Sequence, residues 1–265
     1  MNRRKLRRKA NHISLSFLTG LVILFLYIPI ITMIIFSFND QRANTEWVGF
    51  TMKWYSELLN NSSLMEVIGN TLIVGVGSTI LAVVIGTTGA VGLTRFRFKG
   101  RSFLSHVMYI PMVIPEIVLA VALLSIFTLL DLPTGRMAII LGHTALAVPF
   151  VYINVKTALG EFDQSIEEAS MDLGADRKKT FFKITLPIIM PGITSGAFLA
   201  FSLSLDDLII SSFLSGADIM TLPVLIYSQV KIGISPEINV LYTFIIVAIF
   251  AAILIKKLLQ RKKHN

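Results

Sequence analysis

Six stretches of this chain are long, apolar and nearly free of charge, at about residues 10–39, 67–94, 102–130, 137–155, 188–214 and 238–255. Each is close to or above the roughly 20 residues that a helix needs to cross a bilayer core. The pattern predicts an all-α, polytopic membrane bundle of six transmembrane helices, a single domain over residues 1–265. Between the first two runs lies a polar segment, residues 40–66, in which Lys53–Leu59 with Trp54 and Tyr55 predicts a short helix lying on the membrane surface on aromatic anchors. The second run is punctuated by Gly69, Gly75, Gly77, Gly86, Gly89 and Gly92, which suits close helix contact.

The long polar interruption in the second half of the chain is Glu161–Pro187, EFDQSIEEASMDLGADRKKTFFKITLP. Ser165 and Glu168 have the spacing of a capping box, which predicts a helix start at Ser165. Ile166, Ala169 and Leu173 then form a narrow apolar stripe, and Gly174 stands where a left-handed C-terminal cap is expected. Asp176 is placed to cap a second helix that begins Arg177-Lys178-Lys179 and leads through Phe181, Phe182, Ile184 and Leu186 into Pro187. The expectation is two short helices meeting at a glycine.

Composition agrees with the pattern: 54% of residues are hydrophobic and 15% charged, where soluble domains carry about a quarter charged residues. The formal charge of +8 matters through its distribution. Six basic residues precede the first run, four form the turn at Arg95–Arg101, five flank or occupy the Glu161–Pro187 loop and five follow the last run. Of all 24, only Arg42, Lys53, Arg136 and Lys231 fall elsewhere. The positive-inside rule therefore predicts both termini and the Glu161–Pro187 loop on the cytoplasmic side. The first run exceeds the 7–15 or so residues of a signal-peptide core and has no small-residue cleavage pattern near Ser37, so it reads as a retained span.

Candidate chemistry is sparse. There is no cysteine, and His12, His106, His143 and His264 are scattered, so no metal cluster is expected. No G-x-x-x-x-G-K-[ST] phosphate loop occurs, so ATP chemistry does not belong to this chain and no catalytic residue is assigned. Glu116 follows Pro115 midway along the third run, where an ionisable group needs a polar surrounding. It reads either as a cation-attracting group on a translocation path or as a packing partner of polar groups. Asp206 and Asp207 lie roughly 18 residues into the fifth run, about 27 Å at 1.5 Å per residue, hence toward its outer end. Adjacent helical residues point about 100° apart, so the pair cannot share one narrow face of a regular helix. Ser204, Asp207 and Ser211 share one face, Ser202 and Asp206 another. One carboxylate binding cargo while the other caps or gates, and a hydrated interfacial pair, both remain open.

Glu168-Ala169-Ser170, then Gly174, then Ile184-x-Leu186-Pro187 resemble the E-A-A…G…I-x-L-P cytoplasmic coupling loop of ABC-importer permeases, with Ser170 in place of the usual second alanine. The resemblance implies a type I importer permease fold and a coupling surface of Ile166, Glu168, Ala169, Ser170, Leu173 and Gly174 that docks on an ATP-hydrolysing subunit. A second likeness covers almost the whole chain. YIPII, WYSELLNN, RFRFKGR, PEIVLA, SLDDLIISSF and LPVLIYSQVKIGISPEINVL, in that order, are similar to permeases of the spermidine/putrescine (PotC) type. It implies a multi-pass protein of the bacterial inner membrane with polyamine cargo and Glu116, Asp206 and Asp207 as substrate-path candidates. It also implies a second permease subunit, two ATPases that hold ATP and Mg, and an external polyamine-binding protein, with no cofactor on this chain and no nucleic-acid partner. Competing readings are a permease for another small solute, an ion-driven secondary transporter and a nontransporting scaffold.

Overall fold

The computed structural model describes residues 3–41, 46–217, 219–232 and 235–263. The basic side chains of the amino-terminal cluster, Arg42, Asp218, Lys231 and the carboxyl-terminal basic side chains apart from Lys257 lie outside the described residues. Among those described, an isolated bridge between Asn39 and Phe50 is the sole strand-like pairing, and the rest is helical or connecting chain.

The first half of the chain contains α1 Arg3–Phe36, α2 Lys53–Asn60, α3 Ser62–Arg95, α4 Arg101–Val107, α5 Ile110–Val113 and α6 Glu116–Leu129. The second contains α7 Arg136–Glu161, α8 Ser165–Asp172, α9 Arg177–Thr180, a π-helical turn Phe181–Thr185, α10 Leu186–Asp206, α11 Ile209–Leu214, α12 Leu222–Ile232 and α13 Pro236–Lys263. Among the described residues, Leu15–Phe36, Ser62–Arg95, Arg136–Glu161 and Arg177–Asp206 are long and apolar enough to cross a membrane. The expected third span is broken: Arg101–Val113 and Glu116–Leu129 meet at 109°. The cause is Pro115, which has no N–H to donate and biases Ile114 to an extended conformation, ψ 134°. The expected fifth span is also interrupted, between Asp206 and Ile209. The sixth run is represented by the shorter apolar stretch Pro236–Ala251 of α13.

Residues group into two compact units, Met1–Leu64 with Ser228–Asn265, and Met65–Tyr227. In the first, the helix expected at Lys53–Leu59 is present as α2, but Trp54 is not a membrane anchor. It is buried at 3% exposure, and its indole N–H donates to the Asn39 carbonyl at 2.7 Å. The buried amide of Asn39 in turn donates to Glu46 O and accepts from Val48 N, which ties those two residues back to Asn39. Over Leu15–Phe36, α1 is apolar all round and exposed along most of its length, as suits a helix covered by lipid or by another chain.

The second unit is built around α7. Ile139, Val151, Tyr152 and Val155 on this helix have no appreciable exposure, and the long face of α10 packs along it. Small residues permit that approach: Gly192, Gly196 and Ala200 recur every fourth position on α10. A β-carbon at Gly196 would lie 2.9 Å from the Val151 Cα, and one at Gly192 would lie 2.9 Å from the Asn154 carbonyl oxygen. Gly142 on α7 similarly makes room for Ile210 and Leu214 of α11. The interrupted helices are thereby held against an uninterrupted one.

Candidate functional site

Two helix interruptions bring the intramembrane candidates together. Glu116 is the first residue of α6, where the exposed amides of a helix start favour a carboxylate, and the Pro115 carbonyl accepts from Val118 N and Leu119 N at 2.9 and 3.1 Å. Asp207 closes α10 in an extended conformation, φ −67° and ψ 117°, and its Oδ1 accepts the Ser211 N–H of α11 at 2.8 Å. The carboxylate thus takes up one of the free amides in the first turn of the helix that resumes after the break.

Asp207 is 4% exposed, and it does not belong to a hydrated pair. His143, from the first third of α7, reaches it: Nε2 lies 2.9 Å from Asp207 Oδ1 and 3.1 Å from Ser211 Oγ, while Nδ1 lies 2.6 Å from Ser204 Oγ. Ser204 Oγ also accepts from Ser78 Oγ of α3 at 3.1 Å. A carboxylate can only accept, so Nε2 carries the proton donated to Asp207. In the neutral imidazole Nδ1 then accepts from the Ser204 hydroxyl. Every polar atom of this buried chain is paired except Asp207 Oδ2, which has no hydrogen-bond partner.

The Glu116 carboxyl lies close enough to Asp207 for the two groups to interact electrostatically, and it is only partly buried. Asp206 is exposed and contributes charge toward Glu116. The structure therefore unites Glu116 with Asp207 and turns Asp206 away, because the helix ends between the two aspartates. Two adjacent carboxyls with an unsatisfied oxygen between helix ends form an acceptor set for a cation that brings its own N–H donors. Ser204, Asp207 and Ser211 do converge, although on one imidazole and across a break. Sequence reasoning passed over His143; its position inside an apolar run was the signal that could have found it.

The second candidate surface is the Glu161–Pro187 loop. α8 spans Ser165–Asp172 as expected, but no capping box forms. Gln164 occupies the N-cap and Asp163 Oδ1 accepts the Ser165 N–H at 3.0 Å, so the local anchor lies two residues before Ser165. That contact holds the exposed Asp163 carboxyl below the usual carboxylate range. The glycine end matches expectation: Gly174 has φ +87°, its N–H reaches Met171 O at 2.9 Å, and Ala175 N reaches Ser170 O at 3.1 Å. These two bonds make a Schellman motif. Asp176 caps the following turn through Lys179 N at 2.6 Å.

The second short helix does not stop at Pro187. α9 passes through the π-helical turn Phe181–Thr185 directly into α10, and Pro187, which has no N–H to donate, falls just after that turn, where the regular hydrogen-bond ladder is already displaced. Ile166 is 44% and Leu173 90% exposed, and Glu168 and Ala169 are exposed. Ile166, Ala169, Leu173 and Ile184 line an open groove of about 340 Å³. Ser170 is half-buried, and its hydroxyl bonds Thr180 Oγ1 at 3.2 Å, which accommodates the atom that alanine would lack. The neighbouring Glu167 ties the loop down. Its Oε1 accepts from Arg95 of α3 at 3.1 Å and from Thr185 at 2.5 Å, and the Arg95 guanidinium lies over the Phe162 ring. Glu167 did not stand out in the sequence and Arg95 did so only as part of a basic turn; their pairing could not be read, since a spacing of 72 residues carries no local pattern.

Residues 78–262 match the family described as binding-protein-dependent transport system inner membrane component. The chain is 41% identical over 239 residues, 90% of each chain, to the spermidine/putrescine transport system permease protein PotC of Escherichia coli (strain K12). It is 42% identical over 232 residues to the putrescine transport system permease protein PotI of the same organism, covering 85% of this chain and 83% of the relative. Among solved structures, a chain of a bacterial ABC transporter involved in the import of the acidic polysaccharide alginate superposes with a TM-score of 0.72 at 18% identity, over 98% of both chains, and so shares the fold. The apolar helices, the ABC-importer permease fold and the match over residues 78–262 together establish that this chain belongs to the inner membrane components of binding-protein-dependent transport systems, as a multi-pass membrane protein.

Proposed function

We propose that this chain is one transmembrane subunit of an ATP-driven importer that carries polyamines across the bacterial cytoplasmic membrane by alternating access. In this reading it has six spans and both termini in the cytoplasm, and it works with a second homologous permease, two ATP-binding subunits and an extracytoplasmic binding protein. The observation that carries the cargo assignment is the Glu116–Asp207 pair with its unsatisfied Oδ2. An alkylammonium supplies the donors that these oxygens lack, and charge-assisted hydrogen bonds compensate the loss of its hydration. The printed functions of the PotC and PotI relatives support the same cargo.

Energy reaches the chain through Glu161–Pro187. Ile166, Glu168, Ala169, Ser170, Leu173 and Gly174 form the surface offered to an ATPase, with ATP and Mg held there and none bound by this chain. ATP binding and release bias the two access states only if the loop docks differently in each. The test is reconstitution with the partner subunits and measurement of ATP-dependent spermidine uptake in wild type, Glu116→Gln and Asp207→Asn. Both variants are expected to lose uptake by tenfold or more, about 1.4 kcal/mol per decade. Unchanged uptake in both would refute the cargo assignment, and uptake that persists without ATP while a proton gradient is maintained would refute the ATP-driven reading.

A further inference from the structure

We infer that His143 is a specificity-determining positioning residue: by occupying one oxygen of Asp207 it makes the site select alkylammonium cargo over guanidinium cargo. The inference rests on the polyamine reading above and adds a discrimination that the reading does not contain. Asp207 Oδ1 already accepts two donors, His143 Nε2 at 2.9 Å and Ser211 N at 2.8 Å. Those two bonds use both of its lone pairs. Oδ2, on the same 4% exposed residue, accepts none. The carboxylate is therefore locked as a single-oxygen acceptor, with the Glu116 carboxyl supplying the next acceptor beside it.

That geometry separates two cations of equal charge. A guanidinium binds a carboxylate best as a planar fork, with parallel N–H bonds to both oxygens of one group. Here one prong would meet an oxygen that has no lone pair to offer, and the remaining N–H groups would be desolvated without partners. An ammonium is compact, and its donors point in different directions, so it can bond Oδ2 of Asp207 and an oxygen of Glu116 at once. His143 is itself held in place. Ser204 bonds its Nδ1 at 2.6 Å and is braced by Ser78 at 3.1 Å, so the imidazole cannot swing away without breaking a second buried bond.

The experiment is competition against ATP-driven putrescine uptake in the fully reconstituted complex. The two competitors are unlabelled putrescine and its diguanidino analogue, in which both terminal amines are guanidines and the chain length is unchanged. In wild type the analogue is expected to compete at least tenfold more weakly than putrescine. His143→Asn is expected to shrink that gap by about tenfold, because its shorter amide can keep Ser204 but cannot reach Asp207, which frees a lone pair on Oδ1. His143→Gln, whose longer amide can still donate to Oδ1, is expected to restore the gap whatever its effect on the uptake rate. Equal competition by both compounds in wild type would overturn the selection, as would gaps that are the same in the Asn and Gln variants. A wild-type complex that imports no polyamine would instead overturn the cargo reading on which the selection rests.

Discussion

Replacing Gly196 with alanine tests whether the α7–α10 seam is as close as the backbone indicates. Its new β-carbon would sit 2.9 Å from Val151 Cα and 3.4 Å from Val151 Cβ and Cγ1, whereas ordinary contact begins at 3.4 Å. The nearest atom is backbone and cannot rotate away, so the helices must separate by about half an ångström at this level. Over-packing of that kind costs about 1–3 kcal/mol. Against it stands the gain of roughly 0.5–1 kcal/mol from removing a helix-interior glycine. The net expectation is a loss of about 0–2.5 kcal/mol centred near 1 kcal/mol, which corresponds at its centre to roughly 2–4 °C in midpoint for a chain of this size. Gly92→Ala serves as the control, because a β-carbon at Gly92 has nothing within 4 Å and only the propensity gain applies. Thermal unfolding of the detergent-solubilised protein should rank Gly92→Ala at or above wild type and Gly196→Ala below it. Equal midpoints for the two variants would refute the close-seam reasoning.

Other perturbations address the loop and its anchor. Gly174→Ala places a β-carbon at φ +87° and should cost about 1–2 kcal/mol through left-handed backbone strain, lowering ATP-driven uptake while membrane insertion survives; normal uptake would contradict the requirement for that cap. Glu167→Ala removes the acceptor shared by Arg95 and Thr185, a loss of about 1.5–3 kcal/mol locally, and should loosen α8 so that protease cleavage near Gln164 becomes faster. Asp163 has its folded value depressed by the Ser165 N–H, so this contact is complete above the usual carboxylate range and is lost as pH falls through the lowered value. The Ser165 amide chemical shift should therefore be flat through neutral pH and titrate with a midpoint below the ordinary aspartate value; a midpoint at or above that value would contradict the bond.

The course of the helices was readable because apolar runs and turn residues are local signals. Gly174 and Asp176 announced their caps by residue type, and Pro115 announced a weak point in the third run. What Pro115 did not announce was a 109° bend, since proline removes a donor but the packing of its neighbours sets the angle. The break after Asp206 had no marker of its own: Ser204-Leu205-Asp206-Asp207-Leu208 contains neither glycine nor proline. Its cause is tertiary, because Asp207 leaves the helix to bond His143, which is 64 residues away. For the same reason Ser165 and Glu168 had the right spacing for a capping box and did not form one. Asp163 reaches the Ser165 amide first, a choice that spacing alone does not rank.

The arrangement of breaks bears on how the proposed coupling could work. From Arg177 the chain runs without a gap through the π-helical turn and α10 to Asp206, a 30-residue helical path of roughly 45 Å at about 1.5 Å per residue. A displacement of α9 at the ATPase surface therefore reaches Asp207 along one rod, with no loop to absorb it. The rod ends one residue before Asp207, whose Oδ1 is tied to His143, and His143 belongs to α7, along which α10 is closely packed. Glu116 stands on the opposite side of the pair, on α6, and α6 is joined to the preceding segment Arg101–Val113 through the bend at Pro115. Motion of the rod can therefore change the separation of Asp207 from Glu116 while His143 travels with Asp207. The proposed cargo oxygens are thus divided between the end of a helix continuous with the loop and the start of a separate helix, and a change in their separation with ATP state would alter cation affinity.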